Sequence, residues 1–340
     1  MGILDMIPIF CASDEKYAPF LTTTIFSILD NTSSYIDFYV LDGGISDKTK
    51  KMIELSLAKF DNYSIKYFDM SKYMLDRFPN VKHYSLNTFS RYFISDMVPN
   101  LEKVLYLDVD IIVKKDIKEL FEIDLENKSI AAVPEDFYCK NGEYVKENIL
   151  DSFSNTKQYF NAGVMLINIK KIVQNNYSKQ FVDLTIKYFD VLSCPDQDIY
   201  NILFEFDNKI IDYKFNYMPD FYEAYNKLEN GLGKTLEKNA IIFHYTCGKP
   251  WNDKNVRHSK DFWQILEQTP FYPIIKTQYN IQQKIKAYLF GFIKLPKSDK
   301  WSILKDKKFK TKWIKNTETR KGRNIISIFG IPVLKLKYRG

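Results

Sequence analysis

The sequence predicts an α/β protein built on a mostly parallel sheet. Three observations carry that prediction. Short apolar runs alternate with segments of helical spacing from the N-terminus onward, in the order β-α-β-α-β. The run Val104–Leu107 is continuously apolar, as a strand buried on both faces requires. Polar loops follow the strand-like runs, at the carboxyl ends where such sheets bind ligands.

Ile7–Cys11 is the first strand, broken by Ser13-Asp14-Glu15-Lys16. Tyr17 to Leu29 places Phe20, Thr24 and Ile28 at helical spacing. Phe38–Leu41 is a second short strand, closed by the turn signal Asp42-Gly43-Gly44. Ser46 to Phe60 reads as a helix with Ser46 as its N-cap, and Ser64 to Phe68 as a third strand. Thr88–Phe93 leads a helix toward the strand Val104–Leu107. Ile130–Val133, Val164–Ile169 and Ala240–Phe243 are further apolar, strand-like runs.

Hydrophobic residues make up 45% and aromatic residues 16% of the 340, which excludes a disordered chain. The four cysteines are scattered with no Cys-x-x-Cys pair, so neither a zinc site nor a disulfide framework is indicated, and a reduced, cytosolic setting is expected. No window reaches the ~18–20 uncharged apolar residues that cross a bilayer. The N-terminus lacks the basic stretch of a signal peptide. Charge divides the chain. Residues 271–340 carry 15 Lys and 3 Arg against Asp299, Asp306 and Glu318, a net +15, which leaves residues 1–270 at −8 within the total of +7. Residues 1–270 are therefore expected to form an enzyme-sized acidic domain, and residues 271–340 a basic region that seeks an anionic surface.

The run Val104–Leu107 ends in Asp108-Val109-Asp110 and resumes as Ile111-Ile112-Val113. Strand period places the two carboxylates on one face, about 7 Å apart. Side by side at the rim of an apolar sheet they repel and are desolvated, and a divalent cation removes both problems. Hard oxygen ligands suit Mg²⁺ or Mn²⁺, with a diphosphate completing the shell. The bland alternative is one Asp capping a turn and the other solvated. Two enzyme classes use such a pair. In metal-dependent phosphatases of the haloacid-dehalogenase type the first Asp, here Asp108, is the nucleophile, but Ile112 stands where that pattern has Thr or Val, and the pair lies far from the N-terminus. In nucleotide-sugar transferases the pair chelates the metal that holds the donor diphosphate.

Four segments, in order, decide between them: Val104-Leu-Tyr-Leu-Asp-Val-Asp-Ile-Ile-Val113, Phe160-Asn-Ala-Gly-Val-Met-Leu-Ile-Asn168, Asp196-Gln197-Asp198 with Asn201, and His244-Tyr-Thr-Cys-Gly-Lys-Pro-Trp251. Asn216-Tyr-Met-Pro219 is a weaker fifth. Together they make the chain resemble glycosyltransferase family 8, and within it the bacterial lipopolysaccharide galactosyl- and glucosyltransferases, over about residues 6–270. The resemblance implies a GT-A fold: a Rossmann-like, mixed, mostly parallel sheet flanked by helices. It implies a retaining transfer of galactose or glucose from a UDP-sugar to a lipopolysaccharide or lipooligosaccharide acceptor. The implied cofactor is Mn²⁺, with Mg²⁺ as the alternative, held by Asp108, Asp110 and His244.

Donor contacts implied by the resemblance are Ala12 and Asp14 to uracil, Tyr17 stacked or edge-on to it, Arg91 to sugar and diphosphate, and Val109 beside the metal pair. Asp136, preferred over Glu135, and Asn161 are implied to bond sugar hydroxyls, and Gly248 and Lys249 to meet the diphosphate. Glycine lets backbone approach a phosphate, and lysine brings a compact cation. This loop is one residue shorter than in relatives with Cys-Gly-Pro-Ala before the lysine. At the catalytic centre the resemblance places Gln197, flanked by Asp196 and Asp198. An amide is a poor nucleophile, so the implied route is same-face substitution in which the leaving phosphate oxygen takes the acceptor proton. Asp196 then orients sugar hydroxyls and Gln197 stabilises the cationic centre; Asp196, just after Pro195, is also at home at a helix start.

Residues 274–294 carry an amphipathic pattern, with Ile274, Ile281, Ile285, Tyr288, Leu289 and Phe292 on one stripe and Lys276 and Lys294 opposite. With Trp301 and Trp313 as anchors, this suits an in-plane helix on an anionic membrane, at the inner face of the cell membrane. The rival is a helix packed on the protein. Asn324–Arg339 reads as a hairpin turning at Gly330 and Pro332. Nucleic-acid binding is not expected, since no recognition motif is present. A catalytically silent glycan-binding protein is the non-enzymatic alternative.

Overall fold

A computed structural model describes residues 6–70, 86–135, 159–253, 255–292, 314–319, 323–328 and 331–337. The chain divides into two compact units, Met1–Phe271 and Tyr272–Gly340.

The first unit carries nine described strands: β1 (Met6–Ser13), β2 (Tyr35–Asp42), β3 (Tyr63–Asp69), β4 (Lys103–Leu107), β5 (Ile111–Val113), β6 (Ile130–Pro134), β7 (Phe160–Asn168), β8 (Asn208–Ile210) and β9 (Ile242–His244). Seven of them form one sheet in the order β3-β2-β1-β4-β7-β6-β8. Neighbours run parallel except at β7, which is antiparallel to both β4 and β6. The chain thus builds the expected mixed, mostly parallel sheet. It steps outward from β1 to β2 and β3, then returns to place β4 on the other side of β1. That reversal opens a crevice at the carboxyl ends of β1 and β4, where ligands of such sheets bind.

Helix Ala18–Asn31 is buried along nearly its whole length. Its small hydroxyl residues let it lie close to β5. Thr24 Oγ1 donates to Ile111 O at 3.0 Å, Val113 N donates to Ser27 Oγ at 2.9 Å, and Asn31 Nδ2 donates to Val113 O at 3.2 Å. The helix after β2, Asp47–Leu57, is capped as expected: Ser46 Oγ accepts from Thr49 N at 3.3 Å.

Several elements differ from expectation. Asp108 and Asp110 do not share one strand: β4 ends at Leu107, and β5 leaves the main sheet to pair with β9, Ile111 opposite His244. The pair therefore converges through a bend, and strand alternation is not what brings it together. Asn161 lies inside β7, one residue from its start, not in a turn before a strand. The segment before β4 is a 3₁₀ helix, Leu86–Phe93, passing into a short α-helix, Ile94–Met97. At the start of helix Pro195–Leu203 Asp196 is joined by Asp198: the Asp196 carboxylate is held by its own amide and that of Gln197, and Asp198 accepts from Ser193 N at 2.7 Å and Cys194 N at 2.9 Å.

The second unit holds helix Tyr272–Phe292 and a sheet of β10 (Ile314–Thr319), β11 (Arg323–Ile328) and β12 (Ile331–Lys337), antiparallel throughout. The expected hairpin is thus two strands of three; Ile314–Thr319 is too polar to read as a strand from its sequence. Gly330, Lys294, Trp301 and Trp313 lie outside the described residues. Among the described residues no helix is long and apolar enough to cross a membrane.

Candidate active site

At the crevice between β1 and β4, Asp108, Asp110 and His244 each present one ligand atom, all within 4.8 Å of one another. His244 Nε2 lies 3.1 Å from Asp110 Oδ1 and 3.9 Å from Asp108 Oδ2. The other oxygens are held by the protein. Asp108 Oδ1 accepts from Arg91 Nη2 and from Tyr106 OH, both at 2.9 Å. Asp110 Oδ2 pairs with Lys249 Nζ, which also donates to the carbonyls of Tyr245 and Thr246. Burial by itself would raise the Asp110 carboxyl, but Lys249 and then His244 hold it well below the usual carboxylate range. Val109 lies between the two aspartates, nearly buried.

Gly163 on β7 forms the floor of this cluster. A Cβ there would fall 2.4 Å from His244 Cε1 and 2.7 Å from Asp108 Oδ2. Its carbonyl accepts from Asp108 N at 2.8 Å, which continues the β4–β7 ladder into the bend.

Arg91 is 9% exposed and lies over the Tyr106 ring, 4.3 Å from its centre. Its Nη1 donates to Ala162 O at 2.7 Å, and its Nε faces Asp196 Oδ2 at 2.9 Å, at an angle too bent for a hydrogen bond. Burial works against the guanidinium charge, but Asp108 and Asp196 outweigh it and hold Arg91 well above its ordinary value. Burial likewise raises the Asp196 carboxyl, against the pull of Arg91.

Behind the cluster runs a buried relay. His244 Nδ1 meets Asn216 Oδ1 at 2.9 Å, and Asn216 Nδ2 donates to Asn161 Oδ1 at 2.8 Å. Asn161 Nδ2 donates to Glu135 Oε2 at 2.8 Å, which also accepts from Gln197 Nε2 at 2.9 Å. Gln197 Oε1 accepts from Ala162 N at 3.0 Å. Tyr159 OH, 3.2 Å from Gln197 Nε2, donates to Asp198 Oδ1 at 2.7 Å. Burial lifts the Glu135 carboxyl to about 7, against the bonds from Asn161 and Gln197.

The loop after β9 closes the site. Gly248 N donates to Asp220 Oδ2 at 2.7 Å and Cys247 N to the same oxygen at 3.3 Å, so a carboxylate of this chain holds the amides expected to face a phosphate. Trp251 stacks on Phe20 with ring centres 3.7 Å apart, and Tyr17 meets Trp251 edge-on at 6.5 Å. The β1 loop and the Lys-Pro-Trp loop are thereby joined. Ala12 is the penultimate residue of β1; Asp14 Oδ1 accepts from Tyr17 N at 2.9 Å, so this carboxylate shapes its own turn. Asp136 lies outside the described residues.

Sequence reasoning ranked Glu135 second to Asp136 and missed roles for Asn216, Tyr159, Tyr106 and Asp220. Asn216 left a signal: an amide inside the otherwise apolar run Phe215–Pro219, where it is wholly buried. Buried polar side chains require partners.

The donor set suits a hard divalent cation. Two carboxylate oxygens and an imidazole nitrogen converge, Asp110 Oδ1 is buried without a hydrogen-bond partner, and the floor is a glycine that leaves no Cβ in the way.

A family model described as glycosyl transferase family 8 matches residues 8–255. A Haemophilus influenzae protein named as a glycosyltransferase is 34% identical over 250 residues, spanning 72% of this chain and 73% of its own. Lipopolysaccharide 1,2-glucosyltransferase of Escherichia coli is 26% identical over 266 residues, 76% of this chain and 77% of its own. The match to the Streptococcus pneumoniae glycosyltransferase GlyF spans only 60% of that relative. Among solved structures, the galactosyltransferase LgtC in complex with donor and acceptor sugar analogs superposes with a TM-score of 0.64 at 25% identity, over 78% of this chain and 96% of that one.

Proposed function

This chain belongs to glycosyl transferase family 8, and from that premise we propose that it is a retaining, Mn²⁺-dependent hexosyltransferase that moves galactose or glucose from a UDP-sugar to a glycan acceptor of the lipopolysaccharide or lipooligosaccharide class. The observation that carries the reading is the convergence of Asp108, Asp110 and His244 beside two cations, Lys249 and Arg91, in the crevice at β1 and β4. The names of the Escherichia coli relative and of LgtC support the lipopolysaccharide class and the sugar donor.

Asp108, Asp110 and His244 would hold the metal, which when bound supplies Lewis-acid neutralisation of the leaving diphosphate. Lys249, paired with Asp110 Oδ2 beside that site, would bring a positive charge to the same diphosphate. Ala12, Asp14, Tyr17 and Val109 line the nucleoside end, and Arg91, Asn161, Asp136 and Gly248 the sugar and diphosphate. Asp196 orients sugar hydroxyls. Gln197 stabilises the cationic anomeric centre, where an amide tolerates positive charge without forming a covalent bond. The acceptor enters on the leaving-group face, and its proton passes to the departing phosphate oxygen. The basic residues of 271–340 hold the enzyme at the inner, anionic face of the cell membrane, beside its glycolipid acceptor.

The test is a screen of UDP-sugars with Mn²⁺ for slow hydrolysis and thermal stabilisation, with Asp108→Ala as control. One UDP-hexose is expected to be hydrolysed by the wild type alone. No hydrolysis and no Mn²⁺-dependent UDP binding would refute the proposal in favour of a silent glycan-binding protein.

A further inference from the structure

The direction of each hydrogen bond between His244 and Gln197 follows from two backbone amides. Gly163 N donates to Asn161 Oδ1 at 2.9 Å, and an amide N–H can only donate. That fixes which end of Asn161 is oxygen. The Asn216 atom facing that oxygen at 2.8 Å is therefore its NH₂, so its carbonyl faces His244. His244 Nδ1 must then carry a hydrogen, which leaves Nε2, the ring atom facing Asp108 and Asp110, as the one a metal can take. In the other direction the Asn161 NH₂ points to Glu135, whose carboxylate also takes the Gln197 NH₂. The preceding amide of β7, Ala162 N, receives the Gln197 oxygen and fixes that end.

We infer that Asn216 and Glu135 are positioning residues: Asn216 holds His244 in the tautomer that can ligate a metal, and Glu135 holds the Gln197 amide with its oxygen toward β7. Neither ligates the metal. Both are buried, Asn216 completely and Glu135 to 1% exposure, where a misdirected amide would leave unpaired groups at both ends. Because Ala162 and Gly163 are consecutive, one strand writes the polarity of both halves of the site. The Glu135 half rests on the transferase reading; the Asn216 half is a property of the folded chain.

The test uses the full chain. The sequence holds three histidines, so ¹⁵N-histidine spectra are simple to assign, and Mn²⁺ selectively broadens the signal of the ring it approaches. Metal-free His244 is expected as the Nδ1–H tautomer; an Nε2–H tautomer in the wild type overturns the Asn216 half without any variant. Asn216→Leu is expected to lose that tautomer and weaken Mn²⁺ binding by about 10-fold or more; an unchanged tautomer and affinity overturn it. Glu135→Leu is expected to lower kcat about 100-fold with donor KM and Mn²⁺ affinity nearly unchanged. Glu135→Gln, whose amide oxygen can accept both bonds, should recover kcat to within about 10-fold of wild type. A Glu135→Leu variant with near-normal kcat, or a Glu135→Gln variant as impaired as it, overturns the Glu135 half. Silence of the wild type toward every UDP-hexose sinks the transferase reading and the Glu135 half with it, while the metal and tautomer measurements still decide the Asn216 half.

Discussion

His244 Nε2 and Asp110 Oδ1 face each other at 3.1 Å, at the point where a cation would be shared between them. A divalent cation bound by both would tie the β4–β5 bend to the end of β9. Mn²⁺ is therefore expected to raise the melting temperature of the wild type, with about 2.7 kcal/mol of stabilisation at 100 times Kd. Asp110→Asn and His244→Ala should abolish the shift, and EDTA should reverse it; differential scanning fluorimetry reads all three.

Gly163 admits no side chain without displacing two ligands. Gly163→Ala is expected to cost about 1–3 kcal/mol of stability through overpacking and to weaken Mn²⁺ binding far more than that loss alone explains. Urea unfolding and a Mn²⁺ titration separate the two effects.

Arg91 spans Asp108, Asp196 and the Ala162 carbonyl from a buried position. Arg91→Met leaves two partly buried carboxylates without their counter-charge and should destabilise by up to about 3–5 kcal/mol. Arg91→Lys should recover only part, because an ammonium cannot reproduce the planar fork. Equal stability of all three proteins in urea would contradict this account.

The Glu135 carboxyl stands at about 7 against an ordinary value of 4.5. A raised carboxylate binds its proton more tightly folded than unfolded, so its contribution to stability is greatest in acid and falls as pH rises from about 4.5 to about 7. The loss amounts to no more than about 3 kcal/mol by linkage. Asp196 and Asp198 shift in the same sense and Asp110 in the opposite one, so the comparison must be by variant. Glu135→Gln should gain stability relative to wild type between pH 5 and 7 and show no further change above that range, as measured by unfolding at each pH.

The +15 charge of residues 271–340 leads us to expect binding of the full chain to vesicles containing anionic phospholipid. That binding should weaken markedly between about 50 and 300 mM salt as the charges are screened. Equal binding to neutral vesicles would rule out the electrostatic anchor.

Most strands of the first unit were legible because apolar runs bounded by turn residues leave few other readings, but the short β8 and the polar β10 were not. Asp108 and Asp110 were legible because a paired carboxylate motif interrupts a buried run; His244 was reached through the family resemblance. What stayed hidden was set by long-range geometry. Nothing local shows that β5 leaves the main sheet for β9, since Ile111–Val113 looks like a continuation of Val104–Leu107. Glu135 and Asp136 are indistinguishable as letters; only the position of β7 shows that Glu135 meets Asn161 and Gln197. Thr24 and Ser27 read as ordinary helix residues, and their grip on β5 depends on how closely the helix lies.

The partners that make this site lie far apart along the chain: Lys249 and Asp110 are 139 positions apart, Arg91 and Ala162 71, and Asn161 and Asn216 55. Long-range pairings of this kind close large loops and form late in folding. A half-folded chain has scattered carboxylates but no cage. Recovery of tight Mn²⁺ affinity during refolding should therefore lag behind the return of helical signal, and the ion becomes a reporter of finished assembly in place of early collapse.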